Sequence, residues 1–323
     1  MENRIDFKKS ILNFVLKYGI YFIFAILCII VSCSTPRFLT ITNLSNVLLQ
    51  TSSVGIIAVG MTFVIITRGM DVSVGANVAL ASAVGVTAMK LYNQPWWIGL
   101  LLIFLVSGIM GLINGISTAY IKMPPFLATL GTLTIARGLV LVISKGRNYW
   151  GLPNFYEGLG LGMVGPVPTP AIIMLVAFII GHLILAKTVF GRKIYAIGGN
   201  PDAARVSGLN VELLTLSAYL VMGFYCGLSS VVLTSRLNSF TPTMGIGFEF
   251  NAIAATVIGG TSLMGGEGNI IGTLIGVLIM GVVNNALNLL GVSVYYQEVS
   301  RGLIIFIAVF VDALRNKYAQ AID

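Results

Sequence analysis

In a chain this apolar, what it can do depends on where it places its few polar side chains. Asp71 and Ser73 stand in the run Arg68-Gly69-Met70-Asp71-Val72-Ser73-Val74-Gly75, between two apolar stretches. Glycines let the backbone bend there, and the aspartate and serine can accept N–H groups freed at a helix start. Two readings are open. The run is either a short turn with Asp71 capping the next helix, or a broken helix lining a polar path. Irregular backbone at membrane depth is tolerated only inside protein or beside water. Asn77 lies four residues beyond Ser73, and Asn114, Thr129, Thr132, Asn284 and Asn285 lie within further apolar stretches. Such groups either cross-link helices by hydrogen bonds or line a path for a hydroxylated solute. Asp71, Ser73, Asn77, Asn114, Thr129, Thr132, Asn284 and Asn285 are therefore the candidate pathway residues.

Hydrolytic and metal chemistry lack their parts. There is one histidine, His182, and the acids are scattered among loops with no Gly-x-Ser-x-Gly elbow. The three cysteines, Cys28, Cys33 and Cys226, have neither metal-ligand spacing nor a paired framework. The sequence assigns no catalytic residue, metal or cofactor. The most glycine-rich stretch, Gly259 to Gly268, is not a phosphate loop, because no G-K-[ST] follows it. It reads as a tight re-entrant turn or as a surface that a partner touches.

The elements that must carry these residues are membrane helices. Only 9% of the 323 residues are charged and 57% are hydrophobic, where soluble domains carry about 25% charge. Apolar runs predict about ten transmembrane helices, near 18–34, 46–67, 72–89, 96–119, 125–143, 166–186, 213–235, 249–264, 269–290 and 296–312. The net charge of +8 comes from single basic residues between spans, without the basic runs a nucleic-acid binder would need. With the N-terminus in the cytoplasm, twelve Lys and Arg fall inside and five outside, with Arg137 and Arg301 within spans. Both termini are then cytoplasmic. The chain reads as a single all-α, polytopic membrane domain over residues 1–323, with an outer loop at 144–165 and a long inner loop at 187–212. Gly111-Leu112-Ile113-Asn114 echoes Gly281-Val282-Val283-Asn284, and Arg137-Gly138-Leu139 echoes Arg301-Gly302-Leu303. The echoes suggest two inverted five-helix halves with broken helices.

In the inner loop, Asn200 before Pro201 predicts the cap and first turn of a short helix, and Gly208 its end. Its small residues Ala203 and Ala204, beside Asp202 and Arg205, suit a helix that docks in a partner's groove. Asp202-Ala203-Ala204 followed by Gly208 resembles the docking signature of ABC importer permeases. The closer resemblance is to the ribose-type sugar permeases, whose relatives handle ribose, xylose, arabinose, galactose and autoinducer-2. It is carried by four ordered blocks: Gly69 to Gly75, Pro125 to Thr132, Arg192 to Asn200, and Ile253 to Gly266. One departure is Ala218, which stands where the broader docking signature has an isoleucine.

The resemblance implies a bacterial inner-membrane permease that imports a sugar or sugar-like solute. It implies three kinds of partner besides membrane lipid: a separate ABC ATPase subunit, an extracytoplasmic sugar-binding protein and a second permease chain. Asn200, Pro201, Asp202, Ala203, Ala204, Arg205 and Gly208 would couple to the ATPase. The competing reading is a stand-alone secondary transporter of a small polar solute. That design needs membrane-embedded ionisable groups, of which only Arg137, Arg301 and the span-edge Asp71 are present.

Overall fold

The computed structural model describes the backbone of residues 19–320 and the side chains of 19–313. The N-terminal segment, with Arg4, Lys8, Lys9 and Lys17 of the charge count, lies outside the described residues, as do the side chains of Arg315 and Lys317. The chain is helical: α1 (Gly19–Ser34), α2 (Ile41–Ile66), α3 (Val74–Lys90), α4 (Trp96–Ala119), α5 (Pro125–Ser144), α6 (Asn154–Leu161), α7 (Thr169–Lys187), α8 (Val189–Gly199), α9 (Pro201–Val206), α10 (Val211–Leu237), α11 (Phe248–Ile258), α12 (Ile270–Leu289) and α13 (Val294–Gln320). Seven of these, α2, α4, α5, α7, α10, α12 and α13, are long and apolar enough to cross a membrane, and α1, α3 and α11 are shorter apolar helices.

Polar residues set the helix starts. Thr40, Thr188, Asn200, Asn210 and Asn269 each accept a backbone N–H from the first turn of α2, α8, α9, α10 and α12. Proline opens α5 and α7 at the first or second position. Ten helices overlie the ten expected spans, and their ends depart most at 296–312, where α13 runs on to Gln320, and at 249–264. There α11 stops at Ile258, because Gly260 takes a left-handed φ of +88° and the chain unwinds into the glycine-rich loop.

The long helices α2 and α10 form the centre and pack against each other. In α2 83% of the most apolar window is buried, and in α13 none, so α2 is core and α13 is periphery. Helix α4 packs on α10 and α3, while α12 packs on α2 and α11. Twenty-six residues of α2 span about 39 Å at 1.5 Å each, more than the roughly 30 Å hydrocarbon core, so its ends reach the interfaces. At one end of the bundle, residues 144–168 fold into a cap. Strand β1 (Tyr149–Trp150) pairs antiparallel with β4 (Ser239–Phe240), and β2 (Met163–Val164) with β3 (Val167–Pro168). Between them α6 is pinned by the Tyr156 hydroxyl on Thr234 at 2.6 Å and by Trp96 stacked on Phe155.

Candidate functional site

The segment 67–73 joins α2 to α3 and is buried except at Arg68 and Met70. Helix α2 ends in a two-bond wrap: Arg68 N–H donates to the Ile65 carbonyl and Gly69 N–H to Val64, both at 2.9 Å. This is the helix-ending motif in which one residue turns left-handed, here Arg68 at φ +63°. The turn delivers Asp71 into the interior, where it is 1% exposed. Its Oδ1 accepts the Ser73 N–H at 2.8 Å and the Ser73 hydroxyl at 2.6 Å. Its Oδ2 accepts the Asn114 amide at 3.2 Å, and the same amide reaches the Ser73 hydroxyl at 2.8 Å. Thr132 donates to the Asn114 carbonyl oxygen at 2.7 Å. The Thr129 hydroxyl accepts the Val72 N–H at 3.2 Å. One turn along α3, Asn77 donates to the Ser107 carbonyl at 3.3 Å, and its own oxygen is buried without a partner.

Six of the eight candidate pathway residues thus meet at one junction of α3, α4 and α5. Asp71 accepts the N–H of Ser73, the residue just before α3, and does so deep inside a polar cluster. Burying a carboxylate is costly unless it is hydrogen-bonded, and here both oxygens are engaged. The cluster is closed in this conformation. Opened, it would present amide, hydroxyl and carboxylate groups, the set that binds sugar hydroxyls.

Asn284 and Asn285 lie elsewhere. Asn285 exchanges two amide hydrogen bonds with Asn43, at 2.8 and 3.0 Å, and so ties α12 to the start of α2. Thr62 and Thr273 repeat the link further along the same helix pair at 2.8 Å. Asn284 is half-buried on α12. The Asn43–Asn285 and Thr62–Thr273 pairs thus cross-link α2 and α12. The sequence did not mark Asn43 or Thr273, because a reciprocal pair is visible only once its helices are adjacent. Tyr219 was also missed: its hydroxyl donates to the Met70 carbonyl at 3.3 Å, but a tyrosine in an apolar span carries no local signal.

The two span arginines have polar partners. Arg137 donates to the Met244 carbonyl at 2.7 Å, and Arg301 pairs with Glu298 at 2.8 Å. Beside the latter pair, a cavity of ≈ 240 Å³ is lined by Gly247, Phe250, Glu298, Arg301, Gly302 and Ile305.

The inner loop folds as two helices, α8 and α9. Asn200 Oδ1 accepts the N–H groups of Asp202 at 3.1 Å and Ala203 at 2.9 Å, and Gly208 turns at φ +81°. Arg205 bridges to Glu212 at 2.9 Å, and Lys122 reaches the same carboxylate at 2.8 Å. Exposed pairs contribute little singly, but these share one acceptor and hold α9 against the start of α10. Ala204 is 5% exposed and packs on this chain's own core. Its side chain is therefore covered by the chain itself. The outward face carries Asp202, Ala203 and Val206, and Val206 is 91% exposed. Helix α8 was not expected, because it is amphipathic and lies between apolar runs. Its Tyr195 donates to the Gly268 carbonyl at 2.6 Å, and burial raises the pKa of that hydroxyl, so it stays a donor.

The sequence profile described as "Branched-chain amino acid transport system / permease component" matches residues 43–309. The ribose import permease protein RbsC of Bacillus subtilis (strain 168) is 47% identical over 302 residues, 93% of this chain and 94% of its own. The D-allose transport system permease protein AlsC of Escherichia coli (strain K12) is 39% identical over 96% of each chain. The galactose/methyl galactoside import permease protein MglC of the same organism is 35% identical over 97% of this chain and 98% of its own. No solved structure matches the chain.

Proposed function

Since the chain belongs to the permease-component family of branched-chain amino acid transport systems, we propose that it is the membrane pathway of an ATP-driven sugar importer. The solute is a monosaccharide of the ribose, allose or galactose type, by similarity to the permeases named above. The observation that carries this reading is the position of α9. Its exposed Ala203 and Val206 lie one short helix, α8, from the end of α2, and Asp71 follows that end by five residues. An ATPase bound under α9 would push on the segment that holds the polar junction shut.

The chain works with a second permease chain, a separate ATPase and an external binding protein, in a bacterial inner membrane with both termini cytoplasmic. Ten helices cross or enter the bilayer, with α3 and α11 as the broken ones. Two inverted halves are supported by packing: α3 and α4 lie on α10 as α11 and α12 lie on α2. On the opposite face from α9, Arg37, Lys90, Lys145 and Arg147 are exposed, and the acid among them, Glu157, is half-buried. A binding protein with an acidic docking face fits that surface. The exposed apolar faces of α4, α5 and α13 meet lipid or the second permease.

The docking reading is tested by Val206→Glu. A charge buried unpaired at an interface costs several kcal/mol, and 1.4 kcal/mol is tenfold in affinity. The variant is expected at normal membrane levels, with co-purifying ATPase reduced at least tenfold and sugar uptake lost. Wild-type association and uptake would place the coupling surface elsewhere.

A further inference from the structure

The pathway reading makes no use of Arg68, although Arg68 occupies an unusual position. It holds the left-handed residue of the wrap that ends α2, at φ +63°, a place glycine fills at no steric cost. A side chain kept where the backbone disfavours one points to work done by that side chain. Its Nε donates to the Gly198 carbonyl at 2.6 Å and its Nη2 to the Gly199 carbonyl at 2.5 Å. These are the last two residues of α8, whose carbonyls have no partner within the helix.

Glycines crowd around this contact. A Cβ on Gly198 would strike the Ile66 carbonyl, and one on Gly265 would strike the Arg68 side chain itself. The Gly266 N–H donates to the Ile66 carbonyl at 2.9 Å. The glycine-rich loop therefore wraps the root of Arg68, and its Leu263 N–H reaches Asp312 of α13 at 3.3 Å.

We propose that Arg68 is the coupling strut of this permease, a positioning residue that carries movement of the docking helix α9 to the Asp71 junction. The proposal rests on the docking reading of α9. The route is short and continuous: α9, Asn200, the Gly198–Gly199 carbonyls, the Arg68 guanidinium, then Gly69 and Met70 to Asp71. Met70 is itself held, its carbonyl accepting from Tyr219 at 3.3 Å. The guanidinium suits the task because its planar fork fixes two carbonyls in one orientation, whereas an ammonium is a rotating point charge. A displaced α8 end thus moves the α2 end with it.

The test uses the complete importer, with permease, cognate ATPase and binding protein, in proteoliposomes. Uptake of labelled D-ribose, D-allose or D-galactose, whichever the wild type carries, is measured beside ATP hydrolysis. Arg68→Gly removes the side chain and relieves the backbone, so folding is spared. We expect it to assemble with the ATPase at wild-type yield and to hydrolyse ATP within twofold of wild type. Sugar moved per ATP should fall at least tenfold. Arg68→Lys, which keeps the charge but not the fork, should fall between the two. Wild-type sugar per ATP in Arg68→Gly overturns the proposal. So does loss of assembly with normal coupling in the assembled fraction, since that marks a static clasp. Failure of the docking reading shows separately, as full ATPase association in Val206→Glu.

Discussion

Asp71 is 1% exposed and holds three donors, two from Ser73 and one from Asn114. Each donor left unpaired in such a place costs about 1–3 kcal/mol. Asp71→Ala is therefore expected to destabilise the purified chain by about 2–4 kcal/mol in a detergent unfolding series, and Asp71→Asn, which keeps an acceptor oxygen, by less. Equal losses would mean that the carboxylate is not organising the cluster. The Asn43–Asn285 pair gives a second measurement. Interhelical bonds of this kind contribute about 0.6–2 kcal/mol, so Asn43→Ala and Asn285→Ala should be non-additive by that amount in a double-mutant cycle, with transport retained in both. At this scale the sequence marks the residues and not their partners. Asn200 as a cap was legible because its donors lie two and three residues away. Asn285 looked like a pathway residue because Asn43 is 242 positions distant. Ala204 looked like a docking residue because small size serves a partner's groove and the chain's own core equally well.

Helix ends carry the junction, and glycines at two adjacent positions separate packing from flexibility. A Cβ on Gly198 would run into the Ile66 carbonyl, while one on Gly199 meets open space. Gly198→Ala is expected to part α8 from α2 and lower both membrane levels and uptake. Gly199→Ala should be near neutral by the same assays, and a matched pair of outcomes would refute the close approach. Most helices were legible from length and polarity, since a run of about 20 apolar residues has one solution in a bilayer. The exceptions have physical reasons. Helix α8 is short and amphipathic, so it does not appear as an apolar run. Helix α11 is cut short by Gly260, whose left-handed turn leaves Thr261, Ser262, Leu263 and Met264 in a loop, although the apolar run before them extends the expected span to 264.

For the whole molecule, the proposed orientation puts α9 and the α6 cap on opposite sides of the membrane. In a chain cleared of Cys28, Cys33 and Cys226, Val206→Cys should react in intact cells only with membrane-permeant thiol reagents. Trp150→Cys, at a 65%-exposed position, should also react with impermeant ones. The reversed pattern would invert the topology and remove the docking surface from the ATPase side. Fold class and family resemblance were legible at this scale because composition and four ordered motifs constrain them together. The solute was not, since a buried cluster of amide, hydroxyl and carboxylate groups bonded to one another names no particular sugar. The central claim, an ATP-driven sugar pathway, is tested most directly in proteoliposomes holding this chain with its cognate ATPase and binding protein. Labelled sugar should accumulate only with ATP on the α9 side and binding protein on the other, and an imposed proton or sodium gradient should drive nothing in ATP's absence. Accumulation driven by the ion gradient alone, through this chain without ATPase or binding protein, would contradict the claim and make the chain a secondary transporter.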